Sequence, residues 1–307
     1  MKTVVITGPT GAIGTALVEN LIEKGIRVYA VVRKDSSRFD RIPVSPLVTP
    51  VLLGLHELSE LENQIPVNCD VFYHFAWAGT IGDGRNDVCL QNQNVKYTLD
   101  AVRAAARLGC KRFVGAGSQA EYGRTEGLLS PDTPAFPENG YGMAKLCAGQ
   151  MSRLLCEHLG LQHVWGRILS VYGPRDGAKT MIMSAIDAFL QNQCPAFTAG
   201  EQLWDYLYSK DAAQAMYLLG EKGRDKRVYC LGSGHARPLA EYITILRNSI
   251  DPNLKMRLGA IPYGPKQVMQ LCADTETLRE DTGFEPEYSF EEGIKETIAW
   301  YREEMGK

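Results

Sequence analysis

Tyr141 and Lys145 stand four residues apart in "YGMAK", and the flanking "AKLCAGQMSRLLCEHLG" reads as a helix. Positions i and i+4 share one helix face, so the phenol and the ammonium are neighbours. A phenol near pKa 10 is a poor base at neutral pH. An ammonium held beside it stabilises the phenolate and moves its pKa toward the working range. Such a pair exchanges a proton with a carbonyl or alcohol oxygen while hydride moves at the carbon. Ser118, at the end of "KRFVGAGS", offers a hydroxyl to the same oxygen. A second Tyr-x-x-x-Lys, Tyr206 to Lys210, lies in "QLWDYLYSK", which alternates like a strand. There the two side chains need not meet.

A hydride needs a carrier. "TGPTGAIG" sets Gly8, Gly11 and Gly14 between a short apolar strand and a helical run. The first glycine allows the tight turn, the second lets backbone N–H groups approach a pyrophosphate, and the third lets the helix pack on the sheet. Thr10, Ala12 and Ile13 complete this expected cofactor loop, with the helix N-terminus favouring negative charge. Ala76 ends the strand "CDVFYHFA" and is expected at the same cofactor. The second strand chooses the dinucleotide. An NAD site usually places an acidic side chain at its end, but here it reads "AVVRKDSS". Arg33 suits a 2′-phosphate by bidentate hydrogen bonding. NADP(H) is therefore favoured. NAD(H) remains the alternative, with Asp35 able to fold back as the ribose acceptor.

The elements that position these residues are strands at Thr3–Gly8, Arg27–Arg33 and Cys69–Ala76, and helices at Gly14–Gly25 and near Gln91–Leu108. Apolar strands separated by helices imply a parallel sheet covered on both faces. The fold class is α/β, a doubly wound Rossmann sheet, with ligands at the carboxyl ends of its strands. After "HVWGRILSVYGP" the pattern is irregular, with helical runs at Lys179–Asn192, Pro238–Ile250 and Phe290–Glu303. This reads as a smaller C-terminal α/β lobe for the substrate. The expected division is 1–170 plus roughly 202–235 for the dinucleotide, and 171–201 plus 236–307 for the substrate.

Bulk composition excludes several classes. The 307 residues exceed one ordinary core. Net charge is −3, with no basic block or basic–aromatic stripe for nucleic acid. No apolar stretch approaches a bilayer span, and "MKTVVITG" enters a strand at once rather than a signal peptide. A soluble, cytoplasmic protein is expected. The eight cysteines form no C-x-x-C pair and the histidines no H-x-x-x-H spacing, so no metal site is expected.

In order along the chain come Gly8-x-x-Gly11-x-x-Gly14, Ser118 ahead of "EYG", Tyr141-x-x-x-Lys145, "SVYGP" at Ser170–Pro174 and the tail "GFEPEYSFEEGIKETIAWY". Together they resemble the extended short-chain dehydrogenases/reductases of the nucleotide-sugar epimerase/dehydratase/reductase type. The resemblance spans essentially the whole chain. It implies that Ser118 hydrogen-bonds the substrate oxygen, Tyr141 is the acid/base and Lys145 tunes it and holds the nicotinamide ribose. Asn94, in "NQNVKYTLDAV", matches a supporting asparagine. The small residues of "GAGS" are then expected to clear a path for nicotinamide and sugar. The partner implied is a nucleotide-diphosphate sugar. A homodimer is also implied, through the helices near 91–108 and 141–159, where Met143, Leu146, Cys147, Met151, Leu154 and Leu155 exceed one core-facing stripe.

Departures from the pattern narrow the function. The family's 4,6-dehydratases carry Asp and Glu after the hydroxyl residue, where this chain has Gln119 and Ala120. Glu121, one position on, is expected to face the other way if the strand continues. Ser170 replaces a common asparagine, and Trp204 replaces the arginine that grips the diphosphate. Lys179 is favoured to hold that diphosphate instead, with Arg175 and Arg237 as alternatives. Ser118, Gln119, Ser170, Lys179, Trp204 and Arg237 form the expected substrate set. "WDYLYSKD" and "IPYGPKQVM" look most like the branch of CDP-abequose-synthase-type 4-ketoreductases. An NADPH-dependent reductase of a nucleotide-linked 4-keto-6-deoxy sugar is the leading expectation. The alternative is an epimerase with tightly bound NAD.

Overall fold

Apolar runs such as "TVVIT" and "RVYAVV" form strands buried almost throughout, because helices cover both faces of their sheet. The computed structural model describes residues 1–66 and 68–306. In chain order it builds β1 Thr3–Thr7, α1 Ala12–Glu23, β2 Arg27–Val32, β3 Val48–Leu52, β4 Val71–His74, α2 Val88–Arg107 and β5 Arg112–Ser118. There follow β6 Leu128–Leu129, α3 Gly140–His158, β7 Gln162–Ile168, β8 Ser170–Tyr172, α4 Met181–Leu190, β9 Leu203–Trp204, β10 Tyr206–Tyr208 and α5 Ser209–Lys222. The chain closes with β11 Arg227–Leu231, β12 Arg237–Pro238, α6 Leu239–Ile250, β13 Gln270–Ala273, α7 Glu276–Thr282 and α8 Phe290–Met305.

Seven strands make one parallel sheet in the order β11-β7-β5-β4-β1-β2-β3. The winding reverses between β1 and β4, which opens a crevice at their carboxyl ends. Helices α1 and α5 pack together on one face, α2 and α3 on the other. The doubly wound α/β expectation is met. Strand β3 escaped the sequence reading because Pro50 interrupts it, and proline is tolerated there because β3 is an edge strand. Helix α2 starts earlier than expected because the Asp87 side chain accepts from the Cys89 and Leu90 amides at 3.1 Å.

The rest of the chain forms short sheets, β10-β8 and β12-β9-β13-β6, and packs α4, α6 and α8 around Tyr172, Tyr208, Tyr242 and Phe290. Among the described residues no helix is long and apolar enough to cross a membrane.

Two expectations need correction. Two of the small residues of β5, Gly115 and Gly117, make room for a tryptophan inside the fold, while Ala116 and Ser118 alternate to the other face. A Cβ on Gly115 would lie 2.2 Å from the Trp165 ring, and one on Gly117 would lie 2.3 Å from its Nε1. Trp165 is on the neighbouring strand β7 and is buried. On α3, the exposed apolar surface is narrower than the sequence implied. Met143, Cys147, Met151 and Leu154 are exposed, whereas Leu155 packs on the core and Leu146 lines a groove beside β7.

Candidate active site

The crevice between β1 and β4 gathers the glycine loop and Ala76. Gly8 has φ +75°, and a Cβ there would lie 2.7 Å from the Ala76 amide nitrogen. Glycine is required on both counts. A Cβ on Gly14 would lie 2.2 Å from the Gly8 carbonyl oxygen, so the helix start packs directly on the turn. A Cβ on Gly11 would meet nothing nearer than 3.9 Å. The chain itself leaves that space open, as close approach by a pyrophosphate would require. Gly11 caps α1 without a side-chain hydrogen bond, so the first-turn N–H groups, including those of Ala12 and Ile13, are free for an anion. Thr10 sits in the turn before them. These residues fit a dinucleotide. Arg33 follows β2 with its side chain 68% exposed and its Nε 3.8 Å from Asp35 Oδ1.

The end of β5 gathers the catalytic candidates. The strand stops at Ser118, and Gln119–Glu121 form a single 3-10 turn. The Ser118 hydroxyl accepts from the Ala120 amide at 3.2 Å. Helix α3 begins against this turn, because glycine at 142 lets its backbone approach. A Cβ there would lie 2.2 Å from the Ala120 carbonyl oxygen. The Asn139 side chain caps the helix by accepting from the Gly142 amide at 2.8 Å. Tyr141 is thereby set in the first turn of α3, within interaction range of Ser118. Burial raises its phenol above the usual value, Ser118 and the Arg85 guanidinium pull it back down, and Glu121 pushes it up.

Lys145 lies one turn on, buried, with Nζ donating to the Ala116 carbonyl at 2.6 Å. It sits 3.9 Å from the Trp77 ring centroid and 5.8 Å from that of Tyr141. Desolvation lowers its ammonium to about 7, opposed by the negative charge of Glu121. Ser118, Tyr141 and Lys145 thus converge at one strand end. Tyr206 and Lys210 do not: Tyr206 packs on Tyr172 and Tyr242, while Lys210 pairs with Glu296 at 2.7 Å.

Glu121 is not on a strand, and the expected reason for its facing away falls. Its carboxylate is nevertheless committed. It accepts from the Ser118 amide at 2.8 Å, Trp165 Nε1 at 3.0 Å and Arg167 Nε at 2.7 Å. The ion pair with Arg167 is buried, at 1% and 5% side-chain exposure. Asn94 is buried with its amide equally committed: Oδ1 accepts from the Ala78 amide at 3.0 Å and Nδ2 donates to the Ala78 carbonyl at 2.9 Å. It anchors the loop after β4.

The remaining expected residues are more scattered. Trp204 Nε1 donates to Ser170 Oγ at 2.8 Å, so the two departures from the family pattern bond each other. Arg237 is the cross-strand neighbour of Trp204 and pairs with Glu291 at 2.7 Å. Lys179 is exposed just ahead of Thr180, which caps α4. Arg175 is tied to Glu19 of α1 at 3.0 Å. Gln119 is half-buried beside Ser118.

Sequence reasoning missed the shell behind the site. Gln91, fully buried, donates from Nε2 to the carbonyls of Gly79 at 2.9 Å and Gly84 at 2.7 Å, and its Oε1 accepts from Trp77 Nε1 at 2.9 Å. The alternating glycines of β5 opposite a tryptophan were the one signal available for the Trp165–Glu121–Arg167 group.

The model of the NAD dependent epimerase/dehydratase family matches residues 4–232. The chain belongs to this family. CDP-abequose synthase of Salmonella muenchen is 24% identical over 308 residues, covering 97% of each chain. Among solved structures, a UDP-N-acetylglucosamine 4-epimerase from Methanobrevibacter ruminantium M1, in complex with UDP-N-acetylmuramic acid, superposes with a TM-score of 0.89 at 23% identity, covering 99% of each chain. The dTDP-glucose 4,6-dehydratase DesIV of Streptomyces venezuelae, with NAD and TYD bound, gives 0.87 at 20% identity over 99% of this chain and 98% of that one. Both structures share the fold of this chain.

Proposed function

We propose that this family member is an NADPH-dependent reductase of a nucleotide-linked 4-keto-6-deoxy sugar. The observation that carries the reading is the turn after Ser118. Gln119 and Ala120 have no proton to exchange, and Glu121 is bonded to Ser118, Trp165 and Arg167. Elimination of water needs both an acid and a base, whereas reduction of a ketone needs one proton and one hydride. A dinucleotide held on the loop of Gly8, Gly11 and Gly14 would supply the hydride. Tyr141 gives its proton to the carbonyl oxygen, Ser118 hydrogen-bonds that oxygen, and the Lys145 ammonium steadies the phenolate that remains. Given a nucleotide-linked hexose with its 6-hydroxyl intact, the enzyme should release no 4-keto-6-deoxy product, as mass spectrometry of the products will show. Release of that product would overturn the reading.

The dinucleotide would occupy 1–170 and 202–235, and the sugar nucleotide 171–201 and 236–307. A mostly apolar cavity of about 360 Å³, lined by Met181, Phe197, Gln202, Leu239, Ile243 and Ile261, suits a planar base. Lys179 would hold the diphosphate, since Arg175 and Arg237 are engaged with carboxylates.

Arg33 would bind the 2′-phosphate of NADP(H). Among the described residues its exposed guanidinium is held by a weak surface ion pair, which costs little to exchange for a phosphate. Arg33→Asp should reverse the ratio of NADPH to NADH affinity, read by fluorescence titration. An unchanged ratio would return Arg33 to the solvated surface.

The face of α3 formed by Met143, Cys147, Met151 and Leu154 would pair with α2 and α3 of a second copy. Light scattering at micromolar concentration should give the dimer mass. A monomer mass would rule the pairing out.

A further inference from the structure

The loop between β4 and α2 brings Arg85 onto the catalytic tyrosine. The Arg85 guanidinium carbon lies 4.5 Å from the Tyr141 ring centroid, within cation–π range. This position is built rather than incidental. Arg85 NH1 donates to the Thr80 carbonyl at 2.9 Å, which closes the loop on itself. Gln91 holds the loop from below through the carbonyls of Gly79 and Gly84. Asn86 Oδ1 accepts from the Gly140 amide at 3.1 Å, which ties the residue after Arg85 to the residue before Tyr141. A Cβ on Gly140 would lie 3.0 Å from the Arg85 carbonyl oxygen, so the loop backbone sits directly on the helix start.

We propose that Arg85 is a positioning residue for Tyr141: its guanidinium stacks on the phenol ring, fixes the ring in the cleft and adds a second positive charge to that of Lys145. The inference rests on the reading of Tyr141 as the acid. Three charged groups act on the phenol. Lys145 approaches from its own helix, Arg85 from the loop after β4, and Glu121 from the turn after β5. The two cations favour loss of the phenol proton and Glu121 opposes it. Trp77 meets the Tyr141 ring edge-on at 6.1 Å and completes its packing without charge. Arg85 uses one of its five N–H donors on Thr80, which leaves others for sugar hydroxyls once substrate is present.

The test compares Arg85→Gln and Arg85→Lys with the unaltered enzyme by the pH profile of kcat/KM for ketone reduction, with thermal melting as the fold control. Removing a positive charge makes proton loss harder for both phenol and ammonium, so the alkaline limb belongs to the coupled pair. In Arg85→Gln that limb should move up by about one pH unit. Arg85→Lys keeps the charge and should keep the limb near its original place. A folded Arg85→Gln enzyme whose limb does not move, or a Lys variant that shifts as far as Gln, would overturn the proposal. Turnover surviving in Tyr141→Phe would remove the acid assignment itself, a result separate from any shift caused by Arg85.

Discussion

Tyr141→Phe should lower turnover about 10²–10⁴-fold while leaving cofactor affinity near its original value. The phenol interacts with Ser118, its ring centroid lies 5.8 Å from Lys145 Nζ, and the ring contributes only packing once the hydroxyl is gone. The surrounding contacts survive the change. Trp77 and Arg85 touch the ring, and the Asn139 cap and the Gly142 contact set the helix start without using the hydroxyl. Steady-state rates with a titration of the dinucleotide separate the two effects. Near-normal turnover in the folded variant would remove Tyr141 from the chemistry.

Glu121→Gln should destabilise the protein by about 3–5 kcal/mol. The carboxylate and the Arg167 guanidinium are buried together, and removing one charge strands the other in a low-dielectric interior. Gln keeps the size and one acceptor. The Ser118 amide and Trp165 Nε1, which already share Oε1, can keep that oxygen, but an NH2 group then faces Arg167 Nε–H, donor against donor. Adding Arg167→Met should recover most of the loss, because replacing both members of a buried pair is often neutral. Urea unfolding of the single and double variants checks this. Equal stability in Glu121→Gln and the unaltered protein would mean that the ion pair contributes nothing.

The legible part of this molecule was whatever one chain segment encodes alone. The glycine loop, the apolar strands and the helical Tyr141–Lys145 pair each carry their meaning in a few adjacent residues. That the sheet is parallel followed from the alternation of apolar strands with helices. The parts that were not legible depend on distant partners. Gly115 and Gly117 read as a cleared floor, but the reason for them lies some fifty residues later in Trp165. Glu121 read as a strand residue because the strand's end at Ser118 is fixed by a turn that the carboxylate itself stabilises through the Ser118 amide. Arg85 gave no signal, since a glycine-rich loop carries no period and its fold depends on Gln91 from the next helix. Trp204 and Ser170 looked like two independent departures until their hydrogen bond joined them.

The most direct test of the reductase reading is cofactor stoichiometry. Purified protein would be mixed with NADPH and a nucleotide-linked 4-keto-6-deoxy sugar, with absorbance at the reduced-nicotinamide band followed against product by mass spectrometry. A reductase oxidises one NADPH for each 4-hydroxy product formed, and Tyr141→Phe abolishes both signals together. Conversion of a nucleotide sugar to its epimer with no NADPH consumed would contradict the reductase reading and leave the epimerase in its place.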